Sequence, residues 1–479
     1  MNKKDDAANK KSGKNKNKDE EKFAPYGEAY TEAKAEKPER KKLSEGQKAA
    51  LAIVACLLVV AIIAGSVLRF TGKGVPGISK GGENRTAAET QKELGPSGYA
   101  FVFVHGVGGW GDSSSMNDVG HYWGATTGDL AQYMRNKGYE VCVPTVGPYS
   151  STWDRTCELY AQLTGTTVDY GEAHSKEHNH ERYGRKYEKP LVENWGKDKK
   201  VNLIGHSFGG ETVRMLASLL AYGDDAEKKA TGDETSPLFT GGKGDWVFSV
   251  TTLSSPHNGS QLTEMAEALG RLFGVDNSVD LMVAIVYSVL ATSGIDENKL
   301  NLMLDQFGVG EYKKVQDALD AFVNANDDHA FAELSPDGAA ALNKRIKTVD
   351  GVYYFSYAYS TTNKNESTGS YSPKKKTFAT LFVPSSAMCR YTCTTQGGIE
   401  IDEKWFDNDG LVSVYSAQYP RSDSHCALPA NPSEIKTGIW NVAPTQDGDH
   451  GSPVGLAEGP EAVHTFYEGL FEMLEKVNR

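Results

Sequence analysis

Cysteine is scarce in this chain of 479 residues, which contains only six. One of them, Cys56, lies within a long apolar run, and the other five are Cys142, Cys157, Cys389, Cys393 and Cys426. An odd number of cysteines outside the apolar run does not form a disulfide framework for a domain of this size. The sequence therefore does not predict a fold held together by disulfide bonds.

Positive charge is also scarce outside the N-terminal segment. Residues 1–48 carry 14 Lys and Arg against 10 Asp and Glu, whereas the rest of the chain carries 37 against 53. The acidic main body argues against nucleic acid as a partner. The charged head has few aromatic residues and no apolar periodicity, which predicts a disordered tail over residues 1–48.

One long hydrophobic run follows this tail. The twenty residues from Ala49 to Leu68 carry no charge, and at about 1.5 Å per residue a helix of this length spans a hydrocarbon core of roughly 30 Å. Basic residues cluster before the run, which places the N-terminus in the cytoplasm. We therefore expect a transmembrane helix over residues 49–70 and a single-pass cell-membrane protein with its main domain extracellular. The alternative is a signal peptide cleaved near Ala64-Gly65, which would make the protein secreted.

The remaining chain alternates between strand and helix patterns and contains no internal repeat. Residues 71–96 are predicted to be a linker and residues 97–479 a single globular domain. Apolar runs predict buried strands, and helical spacing predicts helices between them. The strands are expected at 99–104, 139–143, 201–204, 246–253 and 352–359, and the helices at about 125–137, 211–222 and 459–477. This order predicts an α/β fold with a mostly parallel central sheet.

A short glycine-rich turn carries the strongest chemical signal. The segment Gly205-His206-Ser207-Phe208-Gly209 follows the apolar run 201–204 and precedes a helical pattern. A strand followed by a G-x-S-x-G turn and then a helix is the context of a nucleophile elbow, in which a sharp turn exposes a serine hydroxyl. We predict that Ser207 is a catalytic nucleophile; the alternative is a serine that merely caps the helix.

A second glycine-rich loop directly follows the first predicted strand. His105-Gly106-Val107-Gly108-Gly109 occupies the position of the H-G oxyanion motif. The main-chain amides of Val107 and Phe208 are therefore the predicted donors to a developing oxyanion.

A serine nucleophile also needs a base and an acid that orients the base. In the order that this fold requires, His450 lies in a polar loop before the last helix, and Asp409 lies in an Asp-Gly turn. His257 follows a predicted strand and is the alternative base. We predict Asp409 as the acid and His450 as the base.

Two further segments admit two interpretations each. Asp154, His174, His178 and His180 lie in one polar stretch, which is either a zinc site or a solvated loop rich in histidine. Residues 262–297 are strongly apolar, and they form either ordinary core helices or a movable lid over the site.

Taken together, the motifs in residues 97–479 resemble those of the bacterial thermoalkalophilic lipases, the staphylococcal and bacillary group of α/β-hydrolases. The segments that carry the resemblance include Gly109-Trp110-Gly111, Tyr122-Trp123-Gly124, Gly147-Pro148-Tyr149-Ser150-Ser151, Trp153-Asp154-Arg155, Val168-Asp169-Tyr170-Gly171, Ser236-Pro237-Leu238-Phe239 and Asn408-Asp409-Gly410.

The resemblance implies a triad of Ser207, Asp409 and His450, and oxyanion amides at Val107 and Phe208. It implies a structural Zn²⁺ in cap insertions at about residues 150–190 and 298–310, and a lid at about 262–297. The implied zinc ligands are Asp154, His174, His180 and Asp305, the last taken from the segment Leu304-Asp305-Gln306-Phe307-Gly308. His178 is then not a ligand.

The chain departs from the family in one respect. Many members bind calcium through a Glu two residues after the catalytic His and an Asp further on. These positions hold Ser452 and about Ala457 here, with Glu458 nearby but displaced. We therefore predict no calcium site.

The resulting expectation is a carboxylester hydrolase, a triacylglycerol lipase that meets a lipid or ester substrate at an interface. The alternatives are a phospholipase, a short-chain esterase or an inactive surface-binding module. The sequence does not predict acyl chain length or oligomeric state.

Overall fold

The computed structural model describes residues 98–118, 120–273, 301–307, 322–323, 327–456 and 458–477. The predicted tail (1–48), membrane helix (49–70) and linker (71–96) lie outside these residues, as does the predicted lid beyond residue 273. The strands in chain order are β1 (Ala100–Val104), β2 (Val141–Cys142), β3 (Thr167–Asp169), β4 (Tyr183–Lys186), β5 (Val201–His206), β6 (Val247–Leu253), β7 (Tyr353–Tyr357), β8 (Tyr359–Ser360), β9 (Thr362–Lys364), β10 (Tyr371–Pro373), β11 (Cys393–Thr394), β12 (Glu400–Ile401), β13 (His425–Ala427), β14 (Trp440–Val442) and β15 (Gln446–Asp447).

The α-helices are numbered here in chain order. They are α1 (Leu130–Asn136), α2 (Thr152–Thr164), α3 (Glu172–His178), α4 (Gly209–Tyr222), α5 (Asp225–Thr231), α6 (Gln261–Phe273), α7 (Ala330–Glu333), α8 (Pro336–Arg345), α9 (Ala379–Met388), α10 (Val414–Gln418) and α11 (Pro460–Val477).

In the described part of the chain, seven strands form one sheet in the order β13-β14-β7-β6-β5-β1-β2. Every neighbouring pair in this sheet is parallel. The predicted α/β fold with a mostly parallel sheet is confirmed, and its five predicted strands are β1, β2, β5, β6 and β7. The short strands β13 and β14, which extend one edge, were not predicted.

Both faces of the sheet are covered by helices, as the side chains of β1 show. Phe101 and Phe103 pack with residues of α1 and α11 on one face, whereas Val102 and Val104 pack with residues of α2 and α4 on the other. Successive side chains of a strand point to opposite faces, so a strand buried on both sides is apolar throughout. This explains why the run Tyr99–Val104 identifies the strand.

The strand order also has a switch point at the carboxyl ends of the central strands. Strand β1 lies between β2 and β5, so the chain leaves β1 first toward one edge and later returns on its other side. Open parallel sheets bind ligands at such a switch point. The loop after β1 and the turn after β5 therefore lie side by side at this switch point, and these are the segments that contain Val107 and Ser207.

The predicted single-pass membrane localisation is corrected. None of the helices formed by the described residues is long and apolar enough to cross a membrane. The predicted segment itself lies outside those residues.

The predicted lid is described only at its start. Helix α6 (Gln261–Phe273) confirms a helix in this region. Its Leu262, Met265 and Leu269 are buried in an apolar cluster with Trp110 and Trp405. This part of the segment packs as a core helix, and lid movement stays a prediction.

Candidate active site

Ser207 occupies a strained turn between β5 and α4. Its φ angle is 53°, in the left-handed region that a residue with a Cβ atom seldom adopts. A Cβ atom on Gly205 would collide with the main chain of Gly209, and one on Gly209 would collide with the carbonyl of Val104. Glycine at both positions therefore lets the turn pack closely enough to present Ser207 at the carboxyl end of the sheet.

Asp409 and His450 form a buried pair beside this turn. Nδ1 of His450 lies 2.9 Å from Oδ2 of Asp409, and the other carboxylate oxygen accepts hydrogen bonds from the main-chain N–H groups of Leu411 and Val412. Because a carboxylate accepts, Nδ1 carries the proton and donates. The neutral ring then keeps an unprotonated Nε2 that can act as a base.

His206 connects the turn at Ser207 to the loop of His450. Its Nε2 donates to the carbonyl oxygen of His450 at 2.8 Å, and its Nδ1 accepts from the hydroxyl of Tyr122 at 2.6 Å. Burial lowers the pKa of His206 well below its usual value, and the neighbouring His450 lowers it further. The ring is therefore neutral, as these two hydrogen bonds require, and it fixes the distance between the two loops.

The loop after β1 lies against Ser207. A Cβ atom on Gly106 would come within 2.7 Å of the Cβ of Ser207, so only glycine permits this approach. Neither the N–H of Val107 nor that of Phe208 has a hydrogen-bond acceptor among the described residues. The structure thus places two free amide donors on the two segments predicted to form an oxyanion hole.

His257, the alternative base, does not join this group. It is fully buried, and its Nε2 lies 2.9 Å from the hydroxyl of Thr252 while its Nδ1 lies 3.3 Å from Nη1 of Arg214. Burial lowers the pKa of His257 well below its usual value, and Arg214 lowers it further. A neutral histidine held by these partners has a structural role in the core.

A second group of polar side chains lies in the segments that pack against α2. One ligand-type atom from each of Asp154, His174, His180 and Asp328 lies within 4.8 Å of the others. Nε2 of His174 is 3.2 Å from Oδ1 of Asp154 and 3.2 Å from Oδ2 of Asp328. Two carboxylates and two imidazoles at this spacing can hold a metal ion.

The chemistry of the four side chains fits a bound cation. Nε2 of His180 is buried without a hydrogen-bond partner among the described residues. Nδ1 of His180 donates to the carbonyl of Glu181 at 2.9 Å, which leaves the lone pair of Nε2 available for a metal. Burial alone would lower the pKa of His174, but Asp328 and Asp154 outweigh it and raise the pKa to about 10. The pocket therefore attracts positive charge.

The prediction of Asp305 as the fourth ligand is corrected to Asp328. Asp305 is 56% exposed and forms an ion pair with Arg185. The segment predicted to supply the ligand contributes Gln306 instead, whose Nε2 donates to Oδ2 of Asp154 at 2.8 Å. His178 stays outside the group, although its ring lies 4.5 Å from that of His174. The absence of a calcium site stays a prediction.

Two side chains without a predicted role, Tyr122 and Arg155, support the site from behind. Tyr122 and Arg155 both occur in segments that carried the family resemblance, but no role was predicted for either. Tyr122 accepts a hydrogen bond from the N–H of Gly106 at 2.9 Å. Arg155 is fully buried and donates to the carbonyl of His105. The sequence shows the motifs that contain Tyr122 and Arg155, but it does not show the contacts of their side chains.

Comparison with known proteins agrees with this geometry. Residues 97–478 match the family model described as "Lipase-like, C-terminal domain". A lipase of Staphylococcus epidermidis is 29% identical over 418 residues, which are 83% of this chain and 56% of that protein. The chain thus spans about half the length of this curated relative.

Two solved structures are similar in sequence and in fold. EstA from Clostridium botulinum is 32% identical, with a TM-score of 0.71, over 85% of this chain and 95% of that one. Lipase 1 from Pelosinus fermentans is 34% identical, with a TM-score of 0.66, over 79% of this chain and 99% of that one.

Proposed function

Because the chain belongs to the family of lipase-like C-terminal domains, we propose that it is a serine carboxylester hydrolase that cleaves lipid esters. The observation that carries this proposal is the buried Asp409–His450 pair, tied through His206 to the strained turn of Ser207. A nucleophile, a base and an acid in this chain order are what ester hydrolysis on a parallel α/β sheet requires.

In the proposed reaction, the hydroxyl of Ser207 attacks the ester carbonyl while Nε2 of His450 takes its proton. Asp409 orients the imidazole and stabilises its positive charge. The tetrahedral intermediate places its oxyanion at the amides of Val107 and Phe208. His450 then protonates the leaving alcohol, and water, activated by the same histidine, releases the fatty acid from the acyl-enzyme.

The surroundings of the site favour an apolar acyl group. Val107, Tyr122 and Leu411 pack against a buried cluster that includes Trp110 and Met265. An acyl chain entering beside the oxyanion loop would therefore replace water at an apolar surface, and its binding would contribute favourably to catalysis. This arrangement favours an ester with an apolar acyl group over a polar ester as the substrate.

We further propose that Asp154, His174, His180 and Asp328 hold Zn²⁺. Four protein ligands leave no open position for substrate, which is typical of a structural site. The ion would join the start of α2 to α3 and to the segment before α7, and its contribution would be to the stability of the domain.

The test is hydrolysis of p-nitrophenyl esters from C2 to C16, of triacylglycerol and of phosphatidylcholine by the wild type and by Ser207→Ala. We expect hydrolysis by the wild type, increasing with acyl length, and a loss of roughly 10⁴-fold or more in Ser207→Ala without loss of folding. Activity on phosphatidylcholine alone would identify a phospholipase, and activity confined to C2–C4 esters would identify a short-chain esterase. Retention of activity by Ser207→Ala would refute the proposed mechanism.

A further inference from the structure

We infer that Arg155 is a positioning residue that holds the oxyanion loop in its working geometry from behind the active site. The inference rests on the proposed function, because it concerns the loop that would bind the oxyanion. Two consecutive peptide groups of this loop are each held by hydrogen bonds.

The first peptide group, between His105 and Gly106, is held at both ends. Nη2 of Arg155 donates to its carbonyl oxygen, and its N–H donates to the hydroxyl oxygen of Tyr122 at 2.9 Å. The C=O and N–H of a planar trans peptide point in opposite directions. Arg155 and Tyr122 therefore fix the orientation of this plane from two sides, and neither side chain can be lost without freeing one end.

The second peptide group, between Gly106 and Val107, is held through its carbonyl. Nδ1 of His105 donates to the oxygen of Gly106 at 2.9 Å, and the N–H of Gly109 donates to the same oxygen at 3.2 Å. Because the plane is fixed by its carbonyl, the N–H of Val107 on its opposite side has a defined direction. This N–H is the proposed oxyanion donor.

Arg155 also contacts the segment that carries the second donor. Its Nε donates to the hydroxyl of Thr212 at 2.9 Å, its Nη1 donates to the carbonyl of Gly147 at 2.7 Å, and its guanidinium lies 5.3 Å from the ring centre of Phe208. One side chain thus joins the loop after β1, the start of α4 and the segment before α2. The relative position of the two amide donors depends on this side chain.

All the hydrogen-bond acceptors found for Arg155 are uncharged oxygens, although the side chain is fully buried. A guanidinium keeps its positive charge in proteins, so Arg155 places a buried cation behind the loop. A buried charge is costly unless hydrogen bonds compensate it. A cation held at this place favours negative charge developing on the substrate oxygen, which adds to its positioning role.

The experiment compares Arg155→Met, Arg155→Lys and Tyr122→Phe with the wild type. Arg214→Met is the matched control, because Arg214 is another buried arginine, on α4, that donates to Asn343 and contacts His257 rather than the loop. The readouts are kcat and KM on a soluble short-chain p-nitrophenyl ester, the inhibition constant of an alkyl boronic acid that forms a tetrahedral adduct with a serine, and the melting temperature.

We expect kcat to fall at least tenfold in Arg155→Met and in Tyr122→Phe, with KM within about threefold of the wild type. Boronic acid inhibition should weaken by a similar factor, because it requires the same two amides. The kcat of Arg155→Lys should lie between those of the wild type and Arg155→Met, since lysine keeps the charge but not the planar guanidinium group. If Arg155→Met does not fold, the kcat values of Arg155→Lys and Tyr122→Phe test the inference.

Arg214→Met should melt at a lower temperature but keep its kcat and its boronic acid affinity. The inference is overturned if Arg155→Lys and Tyr122→Phe keep the wild-type kcat, or if Arg214→Met loses kcat and boronic acid affinity to the same extent. A wild type that hydrolyses no ester refutes the proposed function itself, and the inference falls with it. The assay of the wild type alone reveals whether the proposed function fails, before any variant is compared.

Discussion

Asp409 and His450 are joined by two hydrogen bonds although they lie 41 residues apart in sequence. Nδ1 of His450 donates to Oδ2 of Asp409 at 2.9 Å, and the main-chain N–H of His450 donates to the carbonyl oxygen of Asp409 at 2.8 Å. The first bond sets the tautomer of the ring, and the second fixes the loop that carries it. Asp409 therefore orients His450 through both its side chain and its main chain.

Replacing Asp409 by Asn should impair catalysis by favouring the wrong tautomer of His450. An amide in this position donates as well as accepts, so Nδ1 can lose its proton and Nε2 can gain one. We expect kcat to fall by roughly 10³- to 10⁴-fold with little change in KM.

The matched control is His257→Gln, which alters the other candidate base. Because His257 contacts Thr252 and Arg214 in the core, this change should lower the melting temperature but leave kcat within a few fold of the wild type. A larger kcat loss in His257→Gln than in Asp409→Asn would mean that the base has been assigned wrongly.

The metal site should depend on Asp328 and not on Asp305. Purified Asp328→Asn is expected to carry much less than one equivalent of zinc by atomic absorption, whereas Asp305→Asn should keep the wild-type content. At a free metal concentration of 100 to 1,000 times Kd, binding stabilises the native state by about 2.7–4.1 kcal/mol. Chelation should therefore lower the melting temperature of the wild type and of Asp305→Asn, and change that of Asp328→Asn little. Equal zinc content in the two variants would contradict the corrected ligand set.

A methyl group at Gly106 should obstruct the site without unfolding the domain. The added Cβ would lie 2.7 Å from the Cβ of Ser207 and 3.1 Å from the carbonyl of His206, so the loop and the turn must separate. Overpacking of this kind costs about 1–3 kcal/mol, and we expect Gly106→Ala to lose at least about tenfold in kcat.

Gly469→Ala is the control for this substitution. Gly469 lies in α11, and a Cβ atom added there would meet no atom within 4 Å, so alanine should raise stability by about 0.5–1 kcal/mol and leave kcat unchanged. An unimpaired Gly106→Ala enzyme would show that the close approach of loop and turn is dispensable.

Stability should decrease at higher pH through the buried carboxyl group of Glu333. Burial raises its pKa to about 8, against the opposing effects of the Thr152 N–H and Arg345. The native state therefore keeps a proton that the unfolded chain releases near pH 4.5, so the stabilisation is complete below that pH and is lost as the pH rises toward 8.

Glu333→Gln keeps the acceptor for the N–H of Thr152 and has no proton to lose. In urea unfolding followed by tryptophan fluorescence, the wild type should lose on the order of a few kcal/mol relative to this variant between pH 5 and pH 8. A constant difference between the two proteins across that range would contradict a raised pKa for Glu333.

The sequence predicts the sheet well where strands are buried on both faces. The continuous apolar run at Tyr99–Val104 identifies β1, and the run at Trp246–Leu253, rich in β-branched and apolar residues, identifies β6. Helix α2 was not predicted, because it is buried nearly all round and includes polar side chains such as Asp154, Arg155 and Glu158. A helix of this kind has no polar face, so its spacing carries no signal. The edge strands β13 and β14 are too short to show a pattern.

In the candidate site too, local sequence identifies some residues, whereas others depend on tertiary packing. Ser207, Asp409 and His450 lie in short glycine-containing turns whose local sequence is informative. The fourth member of the candidate metal cluster is an aspartate with no such turn, and the sequence does not distinguish Asp305 from Asp328. That choice depends on where a segment distant in the chain meets α2. The contacts of Arg155 depend in the same way on tertiary packing.

The proposed mechanism requires that Ser207 is an activated nucleophile. Incubation with an alkyl fluorophosphonate, followed by peptide mass spectrometry, tests this directly without any assumption about the natural ester. We expect stoichiometric modification of the peptide that contains Ser207 in the wild type, slow modification in Asp409→Asn and none at this position in Ser207→Ala. Labelling at another serine would mean that Ser207 is not the nucleophile, and equal labelling rates in the wild type and Asp409→Asn would mean that Asp409 does not assist it.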